Sequence, residues 1–130
     1  MSLVLDSEGL SLLVLHDRRI TAYLAAARKR DELVVTSAAT LVEVRHPRIN
    51  QAAFRWAISR LNVVPITETL AITASDLLAK AGVHGHKHAI DAIVTATALT
   101  VAGPATILTS DPDDFSLLCA DSGIIVISVG

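Results

Sequence analysis

Residues 106–115 read TILTSDPDDF: a short aliphatic and β-branched run that ends in serine, aspartate and proline. Thr106–Leu108 suits a buried strand, whereas a carboxylate gains nothing from burial, so Asp111 marks where that strand leaves the core. The stretch LVLD at 3–6 repeats the pattern, with Asp6 directly after Leu3–Leu5. Three more runs read as strands: Leu33–Thr36, Val63–Ile66 and Ile124–Ile127. Between them apolar residues recur every three or four positions. Ile20, Tyr23, Leu24 and Ala27 form one such helical face, and Ile49, Ala53, Trp56 and Leu61 roughly form another. Thr69–Ala81 reads as a helix stopped by Gly82, and Ala89–Ala102 as one stopped by Gly103. Two helical patterns succeed each other between 37 and 61, broken near His46 and Pro47 because proline disfavours helix in the residue before it. Alternating strands and helices make βαβ units. The expected fold is therefore α/β, a three-layer α/β/α sandwich around a central parallel sheet of about five strands. No repeat, linker or low-complexity tract divides the chain, and residues 1–130 are expected to form one domain.

Composition narrows the function. Apolar residues make up 52% of the chain and aromatic ones only 3%, so the core is built from Leu, Ile, Val and Ala. No apolar stretch approaches the roughly 20 residues of a membrane span, and Asp6 and Glu8 interrupt anything resembling a signal peptide. A single cysteine, Cys119, in an apolar helical pattern, excludes an internal disulfide and fits a packing residue of a cytoplasmic protein. The net charge of −2 argues against a generally basic surface for nucleic acid. The charges are uneven, however: Arg18, Arg19, Arg28, Lys29, Arg30, Arg45, Arg48, Arg55 and Arg60 precede the acidic cluster at 111–114. An acidic pocket rimmed by arginines has this composition, and so has a set of ordinary solvated helix faces.

Four acids stand out, namely Asp6, Glu43, Asp91 and Asp111. Open parallel sheets bind ligands beyond the carboxyl ends of their strands. If the strands before Asp6 and Asp111 are central neighbours, both carboxylates face one crevice. Asp91 sits in the first turn of the 89–102 helix, where Ala92, Ala96 and Ala98 permit close packing, and Glu43 shares a face with Ala39 and Thr40. Carboxylates brought together repel unless they share protons or a cation, and hard divalent cations choose such oxygens. Each acid also has a purely structural reading. Asp111 can cap a helix with Pro112 at its first position and Asp114 completing a capping box. Asp6 can cap a helix starting at Ser7, Asp91 can favour its helix N-terminus through the macrodipole, and Glu43 can be a surface glutamate.

Taken together, VLDSEGL at 4–10, TLVEV at 40–44, HAIDAIVTATAL at 88–99 and LTSDPDDF at 108–115 resemble the PIN-domain ribonucleases, and in particular the VapC-type toxins of prokaryotic toxin–antitoxin pairs. The resemblance spans essentially the whole chain and rests most on its last two segments. It implies a Mg²⁺- or Mn²⁺-dependent endoribonuclease that leaves 5′-phosphate and 3′-hydroxyl ends. It makes Asp6, Glu43, Asp91 and Asp111 the catalytic, metal-holding acids, with Asp114 as a further ligand. Thr109 or Ser110 is then a partner for bound water or phosphate, and Asp113 has no role. An antitoxin partner is also implied, commonly one that covers the pocket with a basic side chain. So is a homodimer, with Tyr23, Leu24, Phe54 and Trp56 as candidate contacts.

Rival readings exist. A non-catalytic PIN-like binding module would keep the same fold. The same metal chemistry also cuts DNA. The HGHKH stretch carries His84, His86 and His88, which on a strand would share a face suited to Zn²⁺; Gly82 and Gly85 instead suggest a loop leading into the next helix. A receiver-type domain wants an adjacent acidic pair after its first strand, where this chain has Ser7, and no GxSxG elbow supports acyl transfer.

Overall fold

Strand β1 (Ser2–Leu5) lies at the centre of a five-stranded sheet with β2 (Leu33–Ser37) on one side and β4 (Ala105–Thr109) on the other. In this computed structural model, which describes residues 1–83, 85–101 and 103–129, the order is β3-β2-β1-β4-β5, with β3 (Asn62–Val64) and β5 (Ile125–Ser128) at the edges. Every pairing is parallel, and the register sets Leu5 beside Thr36 and Leu108. From β1 the chain first winds outward through β2 and β3, then crosses to the far side for β4 and β5. The reversal falls between β1 and β4, where an open α/β sheet forms its crevice.

Seven helices cover the sheet among the described residues: α1 (Ser7–Val14), α2 (Arg18–Lys29), α3 (Ala38–Val44), α4 (Gln51–Ser59), α5 (Glu68–Ala81), α6 (Ala89–Thr100) and α7 (Pro112–Ser116). The alternation of β1 decides which face each covers. Leu3 and Leu5 pack with Leu10, Leu13, Ile20, Leu24 and Phe54, so α1, α2 and α4 share one face. Val4 points the other way, to Val94 and Ala98 of α6 and Phe115 of α7. Helix α5 forms an outer layer on α6 through Leu70, Ala74, Ala92 and Ala96. Both faces of the sheet are therefore buried, which is why its strands read as continuous apolar runs. No helix among the described residues is long and apolar enough to cross a membrane.

The five strands fall where the sequence places them, but several boundaries differ. β3 stops at Val64, because Pro65 cannot donate to the ladder. Helix α5 ends at Gly82, whose φ of 71° gives the left-handed cap that glycine adopts without strain. Helix α6 does not run to Gly103; it ends at Thr100, with Val101 already extended. Ala102, like His84 of the HGHKH stretch, lies outside the described residues. Cys119 is buried against Val94 and Phe115 but follows α7 rather than belonging to a helix. Two of the four candidate surface contacts are core residues: Leu24 and Phe54 are buried, while Tyr23 and Trp56 are half-buried against the same cluster. The 3.6-residue period identifies an apolar face but not whether the sheet or another surface covers it.

Candidate functional site

The crevice beyond β1 and β4 is a pocket of about 460 Å³ lined by Asp6, Glu43, Asp91, Asp111 and Asp114, together with Glu8, Lys87, Ser7, Ser110 and Phe115. All four scattered acids reach one cavity from separate elements, and Asp114 joins them from the first turn of α7, next to Asp111. Asp6 leaves the end of β1 as the N-cap of α1, its Oδ1 accepting the Gly9 N–H at 2.7 Å. The cap and the site are the same carboxylate. Asp6 is buried, and burial is the main cause that pushes its pKa up to about 6, raised further by Glu8 and Glu43. Hydrogen bonds from the Thr109 side chain and the Gly9 backbone oppose the rise.

Glu43 arrives on α3, which starts directly from the end of β2. A buried threonine contact fixes that junction. Thr36 Oγ1 donates to the Leu5 carbonyl at 2.8 Å and lies 2.7 Å from Thr40 Oγ1, while Thr40 donates to the Ser37 carbonyl at 2.8 Å. Glu43 itself is exposed, as a surface glutamate would be, yet its helix holds it at the pocket wall.

Asp91 stands in the first turn of α6, and Ala92, Ala96 and Ala98 are all buried, so small side chains do let this helix lie close to its neighbours. Burial, followed by the charges of Asp114, Asp6, Glu43 and Asp111, pushes the Asp91 pKa up to about 7. Asp111 is exposed beyond β4 and is raised chiefly by the negative charge of Asp114. Asp111 does occupy the N-cap position of α7, with Pro112 behind it, but its side chain makes no capping bond. Its backbone carbonyl instead accepts the Asp114 N–H at 3.2 Å. Both side chains remain at the pocket.

Thr109 has a structural role besides the expected one. Its hydroxyl is buried in the pocket lining, bonds the Asp6 carboxylate and accepts the Asp111 N–H at 3.0 Å, so it positions two of the acids. Ser110 is half-buried and does line the cavity. Asp113 is exposed and outside the lining. The arginines noted in the sequence do not line the pocket; the one basic residue in its described lining is Lys87, in the turn before α6. Lys87, Glu8 and Ser7 were not singled out from sequence, since nothing local distinguishes them from solvated residues.

The donor set suits a hard cation. The described lining offers six carboxylates and three serine or threonine hydroxyls besides Ser11, with no thiolate or imidazole. Two raised pKa values mark an excess of negative charge that a proton or a cation offsets. Ser7 Oγ, in the same lining, is buried without a protein partner. Among the described residues no three His, Cys, Asp or Glu side chains form a closed ligand set; the acids face the cavity from separate walls.

Comparison with known proteins agrees with this architecture. No curated protein sequence matches the chain. Among solved structures, a chain of the VapBC2 complex of Rickettsia felis, bound to a promoter DNA fragment, superposes with a TM-score of 0.75 at 16% identity, covering 100% of both chains. A toxin–antitoxin complex from Klebsiella pneumoniae gives a TM-score of 0.69 at 22% identity over 95% of this chain and 96% of the other. FitAB bound to an IR36 DNA fragment gives 0.63 at 21% identity over 97% and 94%. These likenesses establish the fold. The model of the PIN domain matches residues 3–120, and the chain belongs to the PIN domain family.

Proposed function

We propose that this protein is a Mg²⁺- or Mn²⁺-dependent endoribonuclease, acting as the toxin of a VapBC-type pair. One observation carries the reading: Asp6, Glu43, Asp91, Asp111 and Asp114 line a single cavity at the switch point of a PIN-domain sheet. These five would hold the ion, and once bound it activates water and offsets the charge developing on the phosphate.

The chain's own contributions are orientation and proton handling. Gly9 N–H and the Thr109 hydroxyl fix the Asp6 carboxylate, and the Thr36–Thr40 junction fixes the helix that carries Glu43. Asp91, with its pKa near 7, holds a proton for much of the time at neutral pH, and a cation entering the cavity displaces it. Nothing in this chemistry uses the 2′-hydroxyl, so preference for RNA comes from unpaired, accessible bases rather than from the reaction itself. Two of the structural neighbours come from a VapBC2 complex and a toxin–antitoxin complex, which supports an antitoxin partner, and the resemblance to PIN-domain toxins implies a homodimer.

The test compares the native chain with Asp91→Asn, each purified free of partner and incubated with structured RNA plus Mg²⁺, Mn²⁺ or EDTA. Metal-dependent cleavage by the native chain alone, leaving 5′-phosphate ends, is the expected result. Equal cutting by both proteins would remove Asp91 from the site. Absence of cutting together with absence of Mn²⁺ binding by calorimetry would overturn the nuclease reading in favour of a binding module.

A further inference from the structure

The described part of the HGHKH stretch forms a turn into α6 rather than a strand, and its lysine lines the acidic pocket. Gly85 takes a φ of 89°, and two backbone bonds close the turn. The His88 N–H donates to the Gly85 carbonyl at 3.4 Å, and the Ala89 N–H to the His86 carbonyl at 3.3 Å. The Ala92 N–H then donates to the His88 carbonyl at 3.0 Å, so the turn runs without a break into the helix that carries Asp91. The Lys87 backbone is thus anchored one helical turn before a pocket acid, while its side chain is exposed.

The described lining of the pocket holds six carboxylates and this one cation. Lys87 nevertheless pairs with none of them: the one ion pair among the described side chains joins Arg30 to Glu32 at 2.9 Å. An ammonium has three donors and no lone pair, so it is the one charged group in the lining that a metal ion cannot use. A divalent ion drawn to the carboxylates repels it, which leaves an anion entering the pocket as its partner. The six acids also outnumber the charges on one or two divalent ions. A phosphodiester meets that excess unless a fixed cation offsets it.

We propose that Lys87 contacts a nonbridging oxygen of the scissile phosphate, as a catalytic residue supplied by the turn before α6. The inference rests on the nuclease reading of the pocket and adds to it a residue outside the acidic set. In that reaction the water oxygen bonds to phosphorus and the P–O3′ bond breaks. The water proton passes to a pocket carboxylate, and the departing 3′-oxygen takes a proton from solvent. Negative charge gathers on the nonbridging oxygens meanwhile, and Lys87 makes and breaks no covalent bond. Its charge acts most where that of the phosphate is greatest, so it favours the transition state over the bound substrate. A counter-ion that only balances the carboxylates is the alternative role, and the experiment separates the two.

The probes are uridine 5′-monophosphate and uridine, which contain no phosphodiester bond to cut. With saturating Mg²⁺, NMR titration of the native chain is expected to show a preference for the monophosphate. Lys87→Gln, on an exposed turn, should reduce that preference about tenfold, and Lys87→Arg should restore most of it because the charge returns. Mn²⁺ affinity by calorimetry, without nucleotide, should be at least as high in Lys87→Gln as in the native chain. With RNA and saturating Mg²⁺, kcat should fall about tenfold in Lys87→Gln while KM changes less. An equal preference for the monophosphate in the native and Gln chains overturns the proposal, and Lys87 is then a counter-ion. Mn²⁺ affinity that falls with Lys87→Gln also overturns it, since the lysine then holds the acids in place. The nuclease reading fails separately: a native chain that prefers the monophosphate through Lys87 yet cuts nothing with any metal would overturn that reading and leave the anion contact standing.

Discussion

The Asp6 carboxylate accepts the Gly9 N–H at 2.7 Å, so one side chain both starts helix α1 and presents charge to the acidic pocket. The two roles are separable by substitution. Asp6→Asn keeps an amide oxygen that caps, and it removes a negative charge that burial makes costly. At neutral pH the metal-free variant should be at least as stable as the native chain while binding Mn²⁺ more weakly. Asp6→Ala loses the cap as well and should cost about 0.5–2 kcal/mol relative to Asp6→Asn. Urea unfolding in EDTA, beside Mn²⁺ calorimetry, tests the pair; equal stability of Asn and Ala variants would remove the capping role.

The raised acids predict an unusual pH profile. Asp6 titrates near 6 and Asp91 near 7 in the folded chain, both above the ordinary 3.8. The folded state therefore keeps protons that the unfolded state has already released. Stability from these groups is complete below about pH 4 and is lost as pH rises through 6 and 7. In EDTA the melting temperature should fall between pH 5 and pH 8. Excess Mg²⁺ or Mn²⁺ should flatten or reverse the trend, because the ion binds only the deprotonated carboxylates. A metal-free melting temperature that climbs across this range would show that the acids do not crowd one another.

Gly9 is held by close contact rather than by its backbone angle. A Cβ there would meet the Leu108 carbonyl oxygen at 3.0 Å, Leu5 Cβ at 3.3 Å and Asp6 Oδ1 at 3.4 Å. Helix α1 thus lies against the ends of β1 and β4 at the point where their acids emerge. Gly9→Ala must push either the helix or Asp6 aside and should cost about 1–3 kcal/mol, despite alanine's better helix propensity. A gain in stability would mean that the helix shifts freely.

Much of this was legible in the chain. Asp6 and Asp111 end aliphatic runs, and the parallel pairing of β1 with β4 is what turns two strand-end acids into neighbours. Ala92, Ala96 and Ala98 announced close packing of α6, and each is buried. What escaped were features set by tertiary contact. Thr109 faces inward, its hydroxyl bonding the Asp6 carboxylate and accepting the Asp111 backbone N–H, a fact no local pattern carries. Lys87 reaches the pocket only because the turn before α6 opens onto it, and Phe54 differs from a surface phenylalanine only in what lies above it.

The buried contact between Thr36 and Thr40 supplies a last prediction, because neither residue lines the pocket although both sit where β2 passes into the helix that carries Glu43. Thr36→Val keeps the shape of the side chain and deletes the hydroxyl that serves the Leu5 carbonyl and Thr40. The loss should cost about 1–3 kcal/mol, since Thr36 is fully buried and water cannot replace it. The larger consequence is at Glu43, whose helix springs from that junction; a loosened α3 should weaken Mn²⁺ binding without altering any carboxylate. Thr36→Ser restores the hydroxyl and should restore affinity, even though it forfeits the methyl packing. Calorimetry on the native chain and the two variants decides the matter. If Val and Ser bind Mn²⁺ equally well, the threonines serve stability alone and Glu43 is positioned by other contacts.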